Sequence, residues 1–269
     1  MRRPTPSIAG RALNPQFRRD FGRFLADGGA RTRSLWLTLI AAAVLLLTWP
    51  YHPVLDLDQG PFTYTAVGTV SVFIAAYLGL ILGIRAEPAE EAGQGVQEWA
   101  AYVPLPIHVY LRGTLAGRMG DVLLFLLVAA PVLASAAALE GVPVPQLGGA
   151  AAVLLITGFS GRAVALLLML WLEDRPVRLI LAAHGALVAL FVIGGVLWPP
   201  LSPLRAFYAA HEPAAWGLAQ WIAAPWPGMI VTHGMLVAAA YGLCWGRVRQ
   251  LRRRADGLEA SERPPEAAP

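Results

Sequence analysis

Residues 148–172 read GGAAAVLLITGFSGRAVALLLMLWL, a run interrupted by one charge, Arg162. A helix rises ~1.5 Å per residue, so a run of this length covers the ~30 Å hydrocarbon core of a bilayer. Five further stretches share this character, near 34–51, 62–84, 119–139, 178–198 and 227–246. Composition agrees: of 269 residues, 57% are hydrophobic and 14% charged, and the apolar residues gather in runs rather than at amphipathic spacing. The expected fold class is an all-α integral membrane protein, with six transmembrane helices within residues 34–246.

Arginines near the end of a span resist translocation and so set orientation. Arg2, Arg3, Arg11, Arg18, Arg19, Arg23, Arg31 and Arg33 precede the first run, and Arg247, Arg249, Arg252, Arg253 and Arg254 follow the last. Both ends are therefore expected in the cytoplasm. The second-to-third connection carries Arg85, Arg112 and Arg118, and the fourth-to-fifth carries Arg175 and Arg178. The alternate connections hold Asp56, Asp58, Glu140 and a lone Arg205, and every loop fits six spans. No small-residue cleavage pattern follows the first run, so no removable signal peptide is expected. Residues 247–269 read as a basic stretch and then, beyond Arg254, a tail too poor in apolar residues to fold, expected to be disordered.

All 21 basic residues are arginine. A phosphate-binding P-loop requires a lysine after its glycines, so these residues do not supply that ATP site. The single cysteine, Cys244, lies inside the last run with no second thiol, and reads as packing. His108 is interfacial and His52 and His211 lie outside the spans; no pair has metal-ligand spacing, so neither a metal nor a cofactor is expected on this chain.

Two segments are expected to lie on the cytoplasmic surface. In residues 14–26, NPQFRRDFGRFLA, Asn14 is a candidate N-cap and Pro15 suits the first helical position. Phe17, Phe21, Phe24 and Leu25 share a face, while Arg18, Arg19 and Arg23 point elsewhere. Such a helix either rests in the headgroup layer, with its arginines on lipid phosphates, or packs on the spans. Residues 85–118 are too long for a turn and read as two short helices broken at Pro104 and Pro106. Val96, Trp99, Ala100 and Val103 share one face of the first piece, and Gln94, Gln97 and Glu98 another; Ile107, Leu111, Thr114 and Leu115 align in the second.

The series Glu91, Gly95, Val96, Glu98, Pro104 and Gly113 resembles the pattern E-x-x-x-G-T-x-E, then proline, then glycine, that type-2 permeases of ATP-binding-cassette transporters carry between their second and third spans. Asn14-Pro15 before a basic amphipathic stretch is similar, as is Ser202-Pro203-Leu204 beyond the fifth run. Val96 in place of threonine and Thr114 in place of a basic residue depart from the pattern. The resemblance implies an exporter half in a bacterial cytoplasmic membrane. Its expected partners are a second permease chain, identical or related, and separate ATPase subunits that bind ATP and magnesium; membrane lipids complete the set, and no nucleic acid is expected. It further implies that 85–118 is a coupling hairpin seated in a groove of the ATPase, with Glu91, Gly95, Glu98, Trp99, Pro104 and Gly113 as candidate coupling residues.

Polar residues inside the runs need partners. Arg162 sits ~15 Å of helix from either end of its run, where a charge costs ~2.5–3.5 kcal/mol on insertion scales. It either lines a translocation path, with Ser160, or is held in a static network. His184 and His233 have no intramembrane carboxylate at helical spacing and read as neutral groups bonded to neighbouring helices. Small residues recur every four positions at Ser71, Ala75, Gly79 and Gly83, and again at Gly234, Ala238, Gly242 and Gly246. Both stripes suit close helix packing, with intrachain contact the first expectation. The external, re-entrant-like segment 199–226, rich in proline and with Trp198, Trp216, Trp221 and Trp226 in or beside it, is expected to fold back on the outer membrane interface.

Two other classes fit part of the pattern. Gly158-Phe159-Ser160-Gly161 with His233 is similar to the serine and histidine of rhomboid intramembrane proteases, where a buried serine beside a base is a nucleophile. The second run, however, has no His and Asn to help bind an oxyanion, and the first external loop has no Trp-Arg pair. A membrane scaffold or assembly factor that transports nothing would share the architecture and need no ATPase.

Overall fold

The computed structural model of the chain describes residues 14–26, 28–49, 62–80, 96–117, 119–173, short pieces between 179 and 187, 197–209 and 225–262. The described elements are α1 (Pro15–Ala26), α2 (Gly28–Leu47), α3 (Phe62–Leu80), α4 (Val96–Tyr102), α5 (Ile107–Gly117), α6 (Gly120–Leu139), α7 (Val144–Leu172), a 3-10 turn (Pro199–Leu201), α8 (Pro203–Ala209) and α9 (Pro225–Glu262). There is no strand among the described residues.

Five of the described helical runs are long and apolar enough to cross a membrane: those in α2, α3, α5 with α6, α7 and α9. By helix length and hydropathy the chain is a multi-pass membrane protein. The expected fifth span, 178–198, falls largely outside the described residues. α7 is the central helix, 72% of its apolar window being buried, whereas only 22% of that of α2 is. The difference is written in side-chain size, because α7 has Gly158 and Gly161 where neighbours press on it. A Cβ on Gly158 would fall 2.7 Å from Val122, and one on Gly161 would fall 3.1 Å from the Gly79 backbone. A Cβ on Gly79 would in turn lie 2.7 Å from the Gly158 carbonyl oxygen. Three glycines thus let α3 lie directly on α7.

The Ser71, Ala75, Gly79 stripe is accordingly an intrachain contact, while Gly83 lies outside the described residues. The α9 stripe differs. A Cβ added at Gly234, Gly242 or Gly246 would meet nothing within 4 Å, and Ala238 is exposed, so this face is open.

A carboxylate fastens the bundle at the end expected to be external. Glu140, just past α6, accepts the backbone N–H of Thr63 and, at 3.0 Å, that of Tyr64, donors of the first turn of α3. The Thr63 hydroxyl donates to the Thr48 carbonyl at 2.8 Å, which brings the end of α2 to the same place.

At the opposite end, α9 does not stop with its apolar residues. It continues to Glu262, where the sequence pattern predicts a disordered tail beyond Arg254. The residues there, ADGLEASE, include alanine, leucine and glutamate, and extending an existing helix escapes the cost of nucleation.

Candidate functional site

The hairpin between the second and third spans is built from α4 and α5, with Pro104 and Pro106 in the turn. Val96, Ala100, Val103, Tyr110, Leu111 and Leu115 are buried in one cluster with Ala163, Leu166, Met169 and Leu170 of α7 and Ala240, Cys244 and Val248 of α9. Polar contacts reinforce this apolar seat. Glu173, at the end of α7, accepts the N–H of Val96 at 2.5 Å and of Gln97 at 2.6 Å, capping α4 from outside its own segment. Arg247 of α9 donates to Leu170 O and to Gln97 Oε1, both at 3.0 Å, and lies 5.4 Å from the Trp171 ring centroid. Arg252 donates to Ala100 O at 3.3 Å and to Val103 O at 3.2 Å, at the end of α4, Val103 O also accepting the Leu105 N–H at 2.8 Å.

The N-terminal helix packs against this hairpin. The Asn14 carboxamide oxygen accepts the N–H groups of Gln16 at 3.0 Å and Phe17 at 3.4 Å, the capping expected from the sequence. Its NH2 donates to Val109 O of α5 at 2.7 Å. The face set into α5 is the polar one: Gln16 and Asp20 are buried, and Gln16 donates to both carboxylate oxygens of Asp20 at 3.0 Å. Gly113 and Gly117 make the seat, since a Cβ on Gly113 would fall 2.5 Å from Gln16 Cβ and one on Gly117 would fall 2.7 Å from Asp20 Cβ. Phe24 lies over Gly120, while Phe17 stacks on Phe21 at 5.3 Å and Phe21 approaches Phe24 at 5.9 Å, all three half-buried. Arg18 is exposed, the Arg19 guanidinium sits 4.0 Å from the Trp99 ring centroid, and the Arg23 side chain lies outside the described residues.

The six candidate coupling residues therefore part company. Glu98 and Pro104 are exposed on the outer side of the hairpin, Trp99 is half-buried under Arg19, and Gly113 is buried beneath α1. Glu91 and Gly95 lie outside the described residues. Sequence reading missed Tyr102, which is 55% exposed beside Glu98 and Pro104. It also missed Glu173, whose only signal was an acidic residue at the end of an apolar run.

A second polar group lies within the bundle. Arg162 Nη2 is 2.9 Å from Asp121 Oδ2, and Arg33 Nη2 is 3.6 Å from Asp121 Oδ1. α7 runs from Val144 to Leu172, so Arg162 lies past its middle, toward its C-terminal end, and Asp121 stands in the first turn of α6. Asp121 thus joins α2, α6 and α7 through its contacts with Arg33 and Arg162.

Ser160 and His233 also meet. Ser160 Oγ and His233 Nδ1 are 2.7 Å apart, and His233 Nε2 is 3.3 Å from Leu201 O. A carbonyl can only accept, so Nε2 carries the proton and Nδ1 accepts from the Ser160 hydroxyl, which also lies 3.2 Å from Thr157 O. Both residues are 0% exposed, and Ser160 sits mid-helix, where its N–H is spent on the helix ladder and cannot stabilise an oxyanion. His184 lies outside the described residues, and no group of three or more His, Cys, Asp or Glu converges among those described.

No family model matches the chain, and no curated protein matches it.

Proposed function

We propose that the chain is the permease subunit of an ATP-binding-cassette exporter in a bacterial cytoplasmic membrane, paired with a second permease chain and driven by separate ATPase subunits that bind ATP and magnesium. One observation carries the reading. The hairpin between the second and third spans is fastened from behind by Glu173, Arg247 and Arg252, and turns Glu98, Tyr102 and Pro104 outward. A partner pressing on that face would move a body joined to α7 and α9 rather than a loose loop. An exposed aromatic beside a charge is the kind of anchor on which protein interfaces concentrate energy. The absence of lysine from these residues supports placing the ATPase on another subunit.

The test is a photo-crosslinkable amino acid at Tyr102 in native membranes. The expected adduct is a nucleotide-binding ATPase subunit, and Glu98→Arg reduces it severalfold. Adducts that contain no nucleotide-binding protein overturn the permease and favour a scaffold.

The 2.7 Å contact between Ser160 and His233 supports a second reading, an intramembrane serine hydrolase. Its test is labelling by a fluorophosphonate, lost in Ser160→Ala. The burial of both groups and the committed Ser160 N–H favour the permease.

A further inference from the structure

The segment 199–209 packs into the helix bundle. Ala206 and Phe207 are 0% exposed, and α8 packs against α3, α7 and α9. α8 has 7 residues, a rise of about 10 Å, so it enters the bundle without crossing it. The Phe207 ring occupies a place that α3 leaves vacant: a Cβ on Gly68 would overlap Phe207 Cζ, and the Tyr64 ring centroid is 5.5 Å away. Val67, Ala75 and Met229 belong to the same buried cluster.

The three surrounding spans are held together without this segment. Glu140 caps α3 from α6, Gly79 and Gly158 press α3 on α7, and Ser160 bonds His233 to join α7 to α9. The segment adds the Phe207 ring, the buried Ala206 and Ser202, Leu204 packed against the same cluster, and a hydrogen bond accepted by Leu201 O from His233 Nε2 at 3.3 Å. Its own first turn is closed internally, Ser202 Oγ accepting the Arg205 N–H at 3.4 Å, so it holds its shape as a unit.

We infer that residues 199–209 are a plug, inserted from the external side, whose Phe207 seals an opening between α3, α7 and α9 and which the Ser160–His233 pair holds in place through Leu201. The plug is a property of this chain's own packing and stands independently of the permease reading.

Thiol accessibility tests it. Cys244 is the sole cysteine, so Cys244→Ala gives a cysteine-free background. Ser71→Cys, a near-isosteric change at a 0% exposed position one turn inward from Gly68, is the reporter. In right-side-out membrane vesicles, a membrane-impermeant maleimide leaves this cysteine unlabelled. Phe207→Ala and Gly68→Ala each raise its labelling rate at least tenfold, His233→Ala raises it severalfold, and Phe207→Leu, which keeps most of the apolar volume, stays close to the parent. A second reporter, Leu166→Cys in the cytoplasmic half, remains unlabelled throughout. Rapid labelling of Ser71→Cys in the parent, no acceleration in either plug variant, labelling only from the cytoplasmic side, or labelling of Leu166→Cys as well through general loosening would each overturn the plug.

Discussion

The Glu173 carboxylate, at the end of the central span α7, accepts the Gln97 N–H at 2.6 Å, together with that of Val96. Glu140 does the same for Thr63 and Tyr64 at the other end of the bundle. In both places an acidic residue that ends one helix satisfies the exposed donors that begin another, and its charge complements the helix dipole. The first cap holds the hairpin to α7, the second holds α3 to α6.

Loss of the first cap should therefore loosen α4 locally. Capping interactions contribute ~1 kcal/mol, within a range of roughly 0.5–2. Glu173→Ala is expected to speed amide exchange over residues 96–102 by about fivefold while leaving α7 unchanged, as read by hydrogen–deuterium exchange in detergent. Glu173→Gln retains one acceptor and falls between. Equal protection in Glu173→Ala and the parent would show that the apolar seat alone holds the hairpin.

The α1–α5 contact tolerates no added methyl. Overpacking costs roughly 1–3 kcal/mol, and at Gly113 and Gly117 the clashing atoms include Cβ atoms and backbone of α1. Gly113→Ala and Gly117→Ala are each expected to lower the thermal midpoint and to detach α1, exposing its termini to limited proteolysis. Gly148→Ala is the control, since nothing lies within 4 Å of that position. Alanine there, inside a helix, is neutral or stabilising by up to about 1 kcal/mol.

Hydrophobic length and arginine placement made the multi-pass architecture legible, because a membrane imposes both on the sequence itself. The hairpin was legible too, since Pro104 and Pro106 punctuate it. Contacts between distant residues were not. Asp121 looked like an ordinary acidic residue at the start of a span, and only the packing of α6 on α7 brings it to Arg162. Amphipathic reading of α1 grouped its phenylalanines on one face and gave no sign that Gln16 and Asp20 are buried, because the glycines of α5 admit a close approach that a periodicity cannot display. Phe207 likewise gave no signal of insertion, its socket being the absence of a side chain at Gly68 some distance away in sequence.

The ion pair predicts an asymmetric mutational response. Asp121→Ala removes the carboxylate that faces two guanidinium groups, one of them 3% exposed, and breaking a buried pair costs on the order of 3–5 kcal/mol. Arg162→Met removes the buried charge with comparable volume and leaves Asp121 beside Arg33, so its cost is expected to be under about 1.5 kcal/mol. Thermal midpoints of the purified variants should rank the parent first, Arg162→Met close behind and Asp121→Ala well below. Adding Arg162→Met to Asp121→Ala should recover part of the loss. The reverse ranking would mean that Arg162 is satisfied chiefly by groups other than Asp121.

Arg252 bridges two carbonyls through different nitrogens of one rigid fork, Nε to Ala100 O and Nη2 to Val103 O. A lysine ammonium is a single point charge on a flexible stem and does not reproduce that fork. Arg252→Lys is accordingly expected to behave like Arg252→Ala rather than like the parent, although it keeps the charge. Spin labels on Tyr102→Cys and Gln250→Cys, both exposed positions, in the Cys244→Ala background report the separation of α4 from α9. The parent gives a narrow distance distribution, and both variants broaden it. A narrow distribution in Arg252→Lys would show that charge, rather than the two-pronged geometry, ties the hairpin to α9.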